Sequence, residues 1–288
     1  MFNSVSNKVL IECNRKVVII IPIYIEKPTN NERQSIIQTF NTLEVYTIVF
    51  IAPEGLNIEY YKEIVYNCNV IVKFHFFSPT FFRNIEGYNR LMLSADFYLQ
   101  FVDYEFMLIY QLDAFVFKDE LMYWCNLGYD YIGAPWIVKR EDRLIIETFA
   151  GNGGFSLRRI QSFVDTLKLT KKIVLNPLEI INEYSHNGII EFVKKTPLIV
   201  FRIFGYKNNS KFFIKSNTQK EDIFWAYLGP KINRNFKSIK GLDAIPFAFD
   251  RYPTFLYNEN NNKLPFGCHA WNKHEPEFWN QFIKNTNS

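Results

Sequence analysis

Read for apolar and polar positions, the chain begins its clear patterning with a run that hardly alternates. Residues 16–24 read KVVIIIPIY. A continuous β-branched stretch of that kind suits a strand buried on both faces, and so the middle of a parallel sheet. Residues 32–43 then place Ile36, Ile37, Phe40 and Leu43 at helical spacing. YTIVFIA at 46–52 predicts a second buried strand, closed by Pro53, Glu54 and Gly55. A short helix is expected over 58–67, a third strand over 70–77, one amphipathic helix over 84–102 and a fourth strand over 106–117. This β-α-β-α-β-α-β order predicts an α/β, Rossmann-like fold. A mostly parallel central sheet would be flanked by helices, with right-handed crossovers.

The second half is less regular. Helices are expected over 121–127, 160–167, 177–192, 220–228 and 275–283. A short strand is expected over 129–134, an edge strand over 247–251 and a polar loop over 258–263. Residues 151–157 are Gly-rich and read as a loop leading into the helix at 160. Lys207, Asn208, Asn209 and Ser210 read as a surface loop. No Pro/Gly/Ser linker divides the chain, so one domain over 1–288 is expected. Its more regular first half would span about 16–118 and its second half about 119–288.

Composition narrows the class. With 48% hydrophobic and 22% charged residues, the chain reads as an ordinary globular protein. Twenty-nine Phe, 17 Tyr and 5 Trp supply a large core. A formal charge of +4 with no long basic block argues against nucleic acid as partner. Cys13, Cys68, Cys125 and Cys268 are too widely spaced for a zinc site and read as free thiols of a reducing compartment. No apolar signal region is seen in 1–15, and the run at 17–25 is too short to cross a bilayer. The expectation is a cytoplasmic protein, at most peripheral to a membrane.

Four segments could carry chemistry. Asp113 sits in YQLDAFVF, where a carboxylate is costly unless it meets a cation or several donors. Ligands of open α/β sheets bind beyond the carboxyl ends of the strands, which suits a metal ligand; a turn or cap aspartate is the plain alternative. In GNGGFSLR, at 151–158, three glycines in four residues allow close backbone approach, and Asn152, Ser156 and Arg158 add polar groups. Glu221 and Asp222 open an aromatic helix start, where helix capping competes with a role as general base. His269 lies in PFGCHAW and could be a metal ligand or a structural histidine. His75, His186 and His274 have no comparable setting.

Together these segments resemble a family of GT-A-like glycosyltransferases, catalogued mainly as a domain of unknown function. The matching stretches are Gly87-Tyr88-Asn89, YQLDAFVF, YDYIGAPW, GNGGFSLR, EDIFW and PFGCHAW, in the family's order over about residues 16–271. The resemblance implies a single GT-A domain that moves a sugar from a UDP- or GDP-sugar to a hydroxyl of a glycan, lipid-linked or protein acceptor. It places Pro22 and Tyr24 near the base and ribose, and Asp113 at the metal-binding acid of an Asp-x-Asp motif whose first position here is Gln111. It gives His269 as the second ligand of Mn2+ or Mg2+. Asn89, Gln111, Asp113, Gly153, Gly154 and Trp271 are implied around donor and acceptor. Asp222 is implied as the base of an inverting displacement, with Glu221 as second choice. A non-catalytic nucleotide-sugar or glycan-binding protein on the same fold is the alternative. A nucleotidyltransferase ranks last, because no Gly-rich phosphate loop follows the first strand.

Overall fold

The computed structural model describes residues 16–66, 68, 70–185, 188–216 and 220–283. Cys13, His186 and the 1–15 segment lie outside them. The run at 17–22 forms strand β1 (Val17–Pro22), buried at every position. Strands β2 (Thr47–Pro53), β3 (Val72–Phe77) and β4 (Phe106–Tyr110) lie parallel to it. The sheet order is β3-β2-β1-β4-β9-β6, where β6 is Tyr131–Gly133 and β9 is Phe155–Arg159. Strand β9 runs antiparallel to both of its neighbours. The result is the expected α/β architecture with a mostly parallel central sheet.

Successive residues of β1 point to opposite faces, as a strand requires. Val17, Ile19 and Ile21 pack with Ile36, Phe40, Tyr61 and Ile64 from the helices Asn30–Thr42 and Glu59–Tyr66. Val18 and Ile20 join Leu91, Phe97, Ile160 and Phe163 from helices on the other face. Both faces are covered, which is why the strands read as unbroken apolar runs. A capping box fixes the start of the helix Asn30–Thr42: Glu32 N donates to Thr29 Oγ1 (3.3 Å), and Thr29 N donates to Glu32 Oε2 (2.7 Å).

A three-stranded sheet, β10-β11-β5, joins Ala248–Phe249, Gly267–Cys268 and Phe115–Val116. A hairpin, β7 (Pro135–Arg140) with β8 (Arg143–Ala150), completes the strands and was not expected from the sequence.

Several expected elements are interrupted. The helix over 84–102 is two helices, Ile85–Met92 and Ala95–Leu99, because Ser94 turns extended and opens the second. The freed carbonyl of Met92 accepts from Tyr98 OH (2.8 Å) and Trp225 Nε1 (3.3 Å). The strand over 106–117 ends at Tyr110, where a turn closes with Ala114 N donating to Gln111 O (2.8 Å). Residues 155–157 of the supposed loop at 151–157 belong to β9. The helix over 177–192 stops at Ser185; a second, Ile189–Ile203, begins after Gly188, whose φ is +82°. The segment 220–228 is a short helix, Glu221–Ile223, passing into a π-helical turn. Only Pro276–Trp279 of the terminal helix forms.

The polar run at 207–210 is not all surface. Asn208 and Ser210 are fully buried. Asn208 Nδ2 donates to Leu175 O (2.9 Å) and Arg202 O (3.0 Å), and its Oδ1 accepts from Leu175 N (2.9 Å). Cys68 and Cys268 are free thiols. Among the described residues no helix is long and apolar enough to cross a membrane.

Candidate functional site

Strand register brings the chemical residues to one edge of the sheet. Pairing of Tyr110 with Phe155 sets the turn after β4 beside the glycine loop before β9. Gln111 N donates to Gly154 O (2.8 Å), locking the two segments together. In the smaller sheet, Cys268 pairs with Phe115 and with Phe249. That register delivers His269 to the turn holding Asp113, with Asp250 on its other side. The site therefore lies beyond the carboxyl ends of the parallel strands, where open α/β sheets bind ligands.

A cleft of about 710 Å³ opens there. Pro22, Tyr24, Asn89, Gln111, Asp113, Gly153, Gly154, Glu221, Asp222 and His269 all line it. These are ten of the residues singled out from the sequence, drawn from six separate parts of the chain. Trp271 does not reach the cleft. It is buried in a separate apolar cluster, edge-on to Phe115 (centroids 6.0 Å apart), so it packs the wall behind the site rather than facing a ligand.

His269 is the hub. Its Nε2 lies 3.2 Å from Asp113 Oδ1 and 3.1 Å from Gln111 Oε1. Its Nδ1 lies 3.1 Å from Asp250 Oδ1. Asp250 is held in turn by Asn152 Nδ2 (3.1 Å), while Asn152 Oδ1 accepts from Gly154 N (3.0 Å). Burial pulls the imidazole pKa down, but the hydrogen bonds and charges of Asp113 and Asp250 outweigh it and push it up to about 9. Burial pushes the Asp113 carboxyl up, yet His269 and Lys273 more than reverse this and hold it well below the usual carboxylate range. Lys273 Nζ donates to Asp113 Oδ2 at 2.6 Å.

Among the described residues no three His, Cys, Asp or Glu side chains are arranged to hold a metal. The donors that do converge are one carboxylate, one imidazole and one amide oxygen, from Asp113, His269 and Gln111. Such a set suits a cation that accepts oxygen with one nitrogen, as manganese does. A carboxylate on the far ring nitrogen, here Asp250, is the usual orienting partner of a metal-bound histidine. This donor set would suit a divalent ion once His269 gives up the proton that Asp113 and Asp250 favour on it.

The two acids at 221 and 222 have different surroundings. Glu221 is buried, and its Oε1 accepts from Arg158 Nη2 (2.9 Å). Its Oε2 has no hydrogen-bond partner among the described residues. Arg158 is fully buried as well; it also donates to Tyr98 OH (2.9 Å) and Ser156 Oγ (3.0 Å), and lies over the ring of Phe163. Burial raises the Glu221 carboxyl although Arg158 pulls against it. Asp222 is only half-buried and has no ion pair among the described residues; Ile223 N donates to its Oδ1 at 2.7 Å. Burial raises its pKa too. Both carboxyls line the cleft, but Asp222 makes no ion pair among the described residues and feels only the more distant charges of Lys220 and Arg158.

The glycines are there for space. A Cβ on Gly153 would overlap Glu221 Oε1, and one on Gly154 would overlap the His269 ring. Two adjacent residues thus seat the acid on one side and the imidazole on the other.

Asp250 and Lys273 were not singled out from the sequence. Asp250 ends the apolar stretch FAFD, the same signal of an acid closing a buried strand that marked Asp113. Lys273 carried no comparable signal.

The family described as "Protein of unknown function (DUF5672)" matches residues 71–269. No curated protein matches the chain. Among solved structures, the apo-form glycosyltransferase GlyE of Streptococcus pneumoniae TIGR4 is similar at 11% identity and a TM-score of 0.44, covering 93% of this chain. This chain spans 60% of that protein's length. Mouse xyloside xylosyltransferase 1 is similar at 9% identity and a TM-score of 0.39, covering 88% of this chain and 96% of its own.

Proposed function

This chain belongs to the family described as Protein of unknown function (DUF5672), and we propose that it is a GT-A-type glycosyltransferase. It would move a sugar from a UDP- or GDP-sugar to a hydroxyl of a glycan, lipid-linked or protein acceptor. The observation that carries this reading is the convergence of Asp113, Gln111 and His269 in the cleft that also holds the carboxylate of Asp222.

Each group then has a task. Asp113 Oδ1, Gln111 Oε1 and His269 Nε2 would hold Mn2+ or Mg2+, with Asp250 fixing the imidazole. A divalent ion there supplies Lewis acidity to a departing diphosphate. Lys273, exposed on the rim beside Asp113, adds positive charge toward the same leaving group. Pro22 and Tyr24 flank the base and ribose at the end of β1. Gly153 and Gly154 let Glu221 and His269 close against the backbone that would line the sugar. Asp222 takes the proton of the acceptor hydroxyl. The acceptor oxygen forms its bond to the anomeric carbon as the carbon–oxygen bond to the diphosphate breaks, and the electron pair leaves with the diphosphate. A single displacement of this kind inverts the anomeric centre. Glu221, already paired with Arg158, positions the loop rather than acting as base.

A second reading rests on Lys273. Its ammonium already neutralises Asp113 at 2.6 Å, so the protein could bind a diphosphate with no metal, with or without turnover.

Thermal melts with UDP-, GDP- and CMP-sugars, with and without manganese, separate the two, since a ligand of the folded state raises the melting temperature by mass action. The metal-assisted transferase gives a manganese-dependent shift with one nucleotide, abolished in Asp113→Ala. A shift insensitive to a chelator supports the lysine reading. No shift with any donor removes the nucleotide-sugar assignment.

A further inference from the structure

The helix Ile189–Ile203 is apolar on two sides. One side is spent in the core. Ile199 is buried with Ile180 and Phe213, and Arg202 turns inward to Glu183 and Tyr184. On the other side Ile189, Ile190, Val193, Val200 and Phe201 are exposed, and Phe204 continues the stripe just past the helix end. At 3.6 residues per turn these six fall within an arc of about 120°. Phe204 is 82% exposed and Ile189 80%. An uncovered apolar stripe of this width on a helix that already buries its other face needs an occupant.

Charge points to which one. Residues 171–215 carry eight basic side chains against three acidic ones, an excess larger than the +4 of the entire chain. Lys194 is exposed at the edge of the stripe, where it also meets Glu191, and Lys172, Lys207 and Lys211 are exposed near its Phe204 end, where Gly205 packs on the Lys172 backbone. A second copy of the chain would bring the same positive field against itself. The helix is 15 residues long and holds Glu191, Lys194 and Lys195, so it does not span a bilayer. An apolar stripe flanked by exposed lysines is the pattern of a helix lying in the plane of an anionic lipid surface.

We propose that the exposed face of Ile189–Ile203, with Phe204, docks this protein on the surface of a membrane containing anionic lipid. The aromatic and aliphatic side chains enter the headgroup and acyl boundary while the lysines meet lipid phosphates and carboxylates. This docking is independent of the proposed transferase activity.

Co-sedimentation with vesicles of phosphatidylcholine alone, or mixed with phosphatidylserine, tests it. The protein is expected to sediment with the mixed vesicles and far less with the neutral ones, and added salt should weaken the binding. The double variant Phe201→Glu/Phe204→Glu should lower partitioning by at least about tenfold with its melting temperature unchanged, because both side chains are exposed. Ile190→Gln, at the other end of the stripe, should give a smaller loss in the same direction and guards against a folding defect in the double variant. Failure to sediment with either vesicle overturns the proposal and leaves the face to a protein partner. So does equal binding by wild type and variants. Light scattering that shows a dimer, made monomeric by the double variant, assigns the face to self-association instead.

Discussion

At residue 222 a half-buried carboxylate borders the cleft with no ion pair among the described residues, only the field of Lys220 and Arg158, while its neighbour Glu221 is spent on Arg158. Removing a buried charge's partner costs about 3–5 kcal/mol, so the Arg158–Glu221 pair is held by what its loss would expose. Asp222 has the opposite balance. Burial raises its pKa, so the folded protein holds that proton more tightly than the unfolded chain does. Its contribution to stability is therefore present below the unfolded value of about 3.9 and is lost as pH rises through the raised folded value. At neutral pH the ionised Asp222 costs stability. Asp222→Asn keeps an acceptor for Ile223 N and removes the charge. It is expected to melt higher than wild type at neutral pH, with the gain vanishing as pH falls toward about 4. In the same variant turnover should drop about 10²–10⁴-fold while donor binding is kept, which is the signature of a missing base. Wild-type turnover would end that assignment. A lower melting temperature at neutral pH would mean that the carboxylate has a stabilising partner after all.

At the scale of elements, the glycine loop before β9 decides how the site is assembled. Gly154→Ala adds one methyl group into the His269 ring, and the backbone of Gly154 is not in the left-handed region, so contact alone is at stake. The ring must shift away from Gln111 and Asp113. The expected outcome is a loss of the manganese-dependent donor shift in thermal melts, with the unliganded melting temperature little changed. Retention of the full shift would show that His269 is not needed where it stands. The same loop shows where sequence reading reached and where it stopped. The parallel strands were legible because burial on both faces writes an unbroken apolar run, as in Val17–Pro22. Breaks inside apolar stretches were not. Ser94 splits one amphipathic pattern into two helices, and the turn at Gln111 hands one apolar stretch to two sheets. Neither event changes the hydrophobic period. Asn208 looked like loop polarity because a buried side chain satisfied by backbone groups has the same composition as an exposed one. Asp113 and His269 stood out in sequence, whereas Asp250 and Lys273 joined them only through the pairing of β10 with β11 and the chain that follows β11.

At the scale of the whole molecule, the site is a junction of segments far apart in the chain and joined by few links. The turn after β4, the loop before β9, the acids at 221 and 222 and the stretch from His269 to Lys273 meet only at the cleft. Their mutual hydrogen bonds run through Gln111, Asn152, Asp250 and His269, while the sheet beneath them is buried on both faces. Local opening should therefore be easy at the rim and rare in β1 and β4, since opening free energy follows the burial that must be undone. A donor with its metal would bind these segments simultaneously and close them as one unit. Hydrogen exchange read by mass spectrometry is expected to show the slowest unliganded amides in β1 and β4. Adding the nucleotide sugar and manganese should slow exchange together at 111–114, 151–154, 220–223 and 268–273, with the sheet unchanged. Protection at 111–114 and 268–273 without 220–223 would keep the metal site and displace the proposed base from the ligand. Protection at 220–223 alone would do the reverse, because a ligand can slow only the openings that its own contacts oppose.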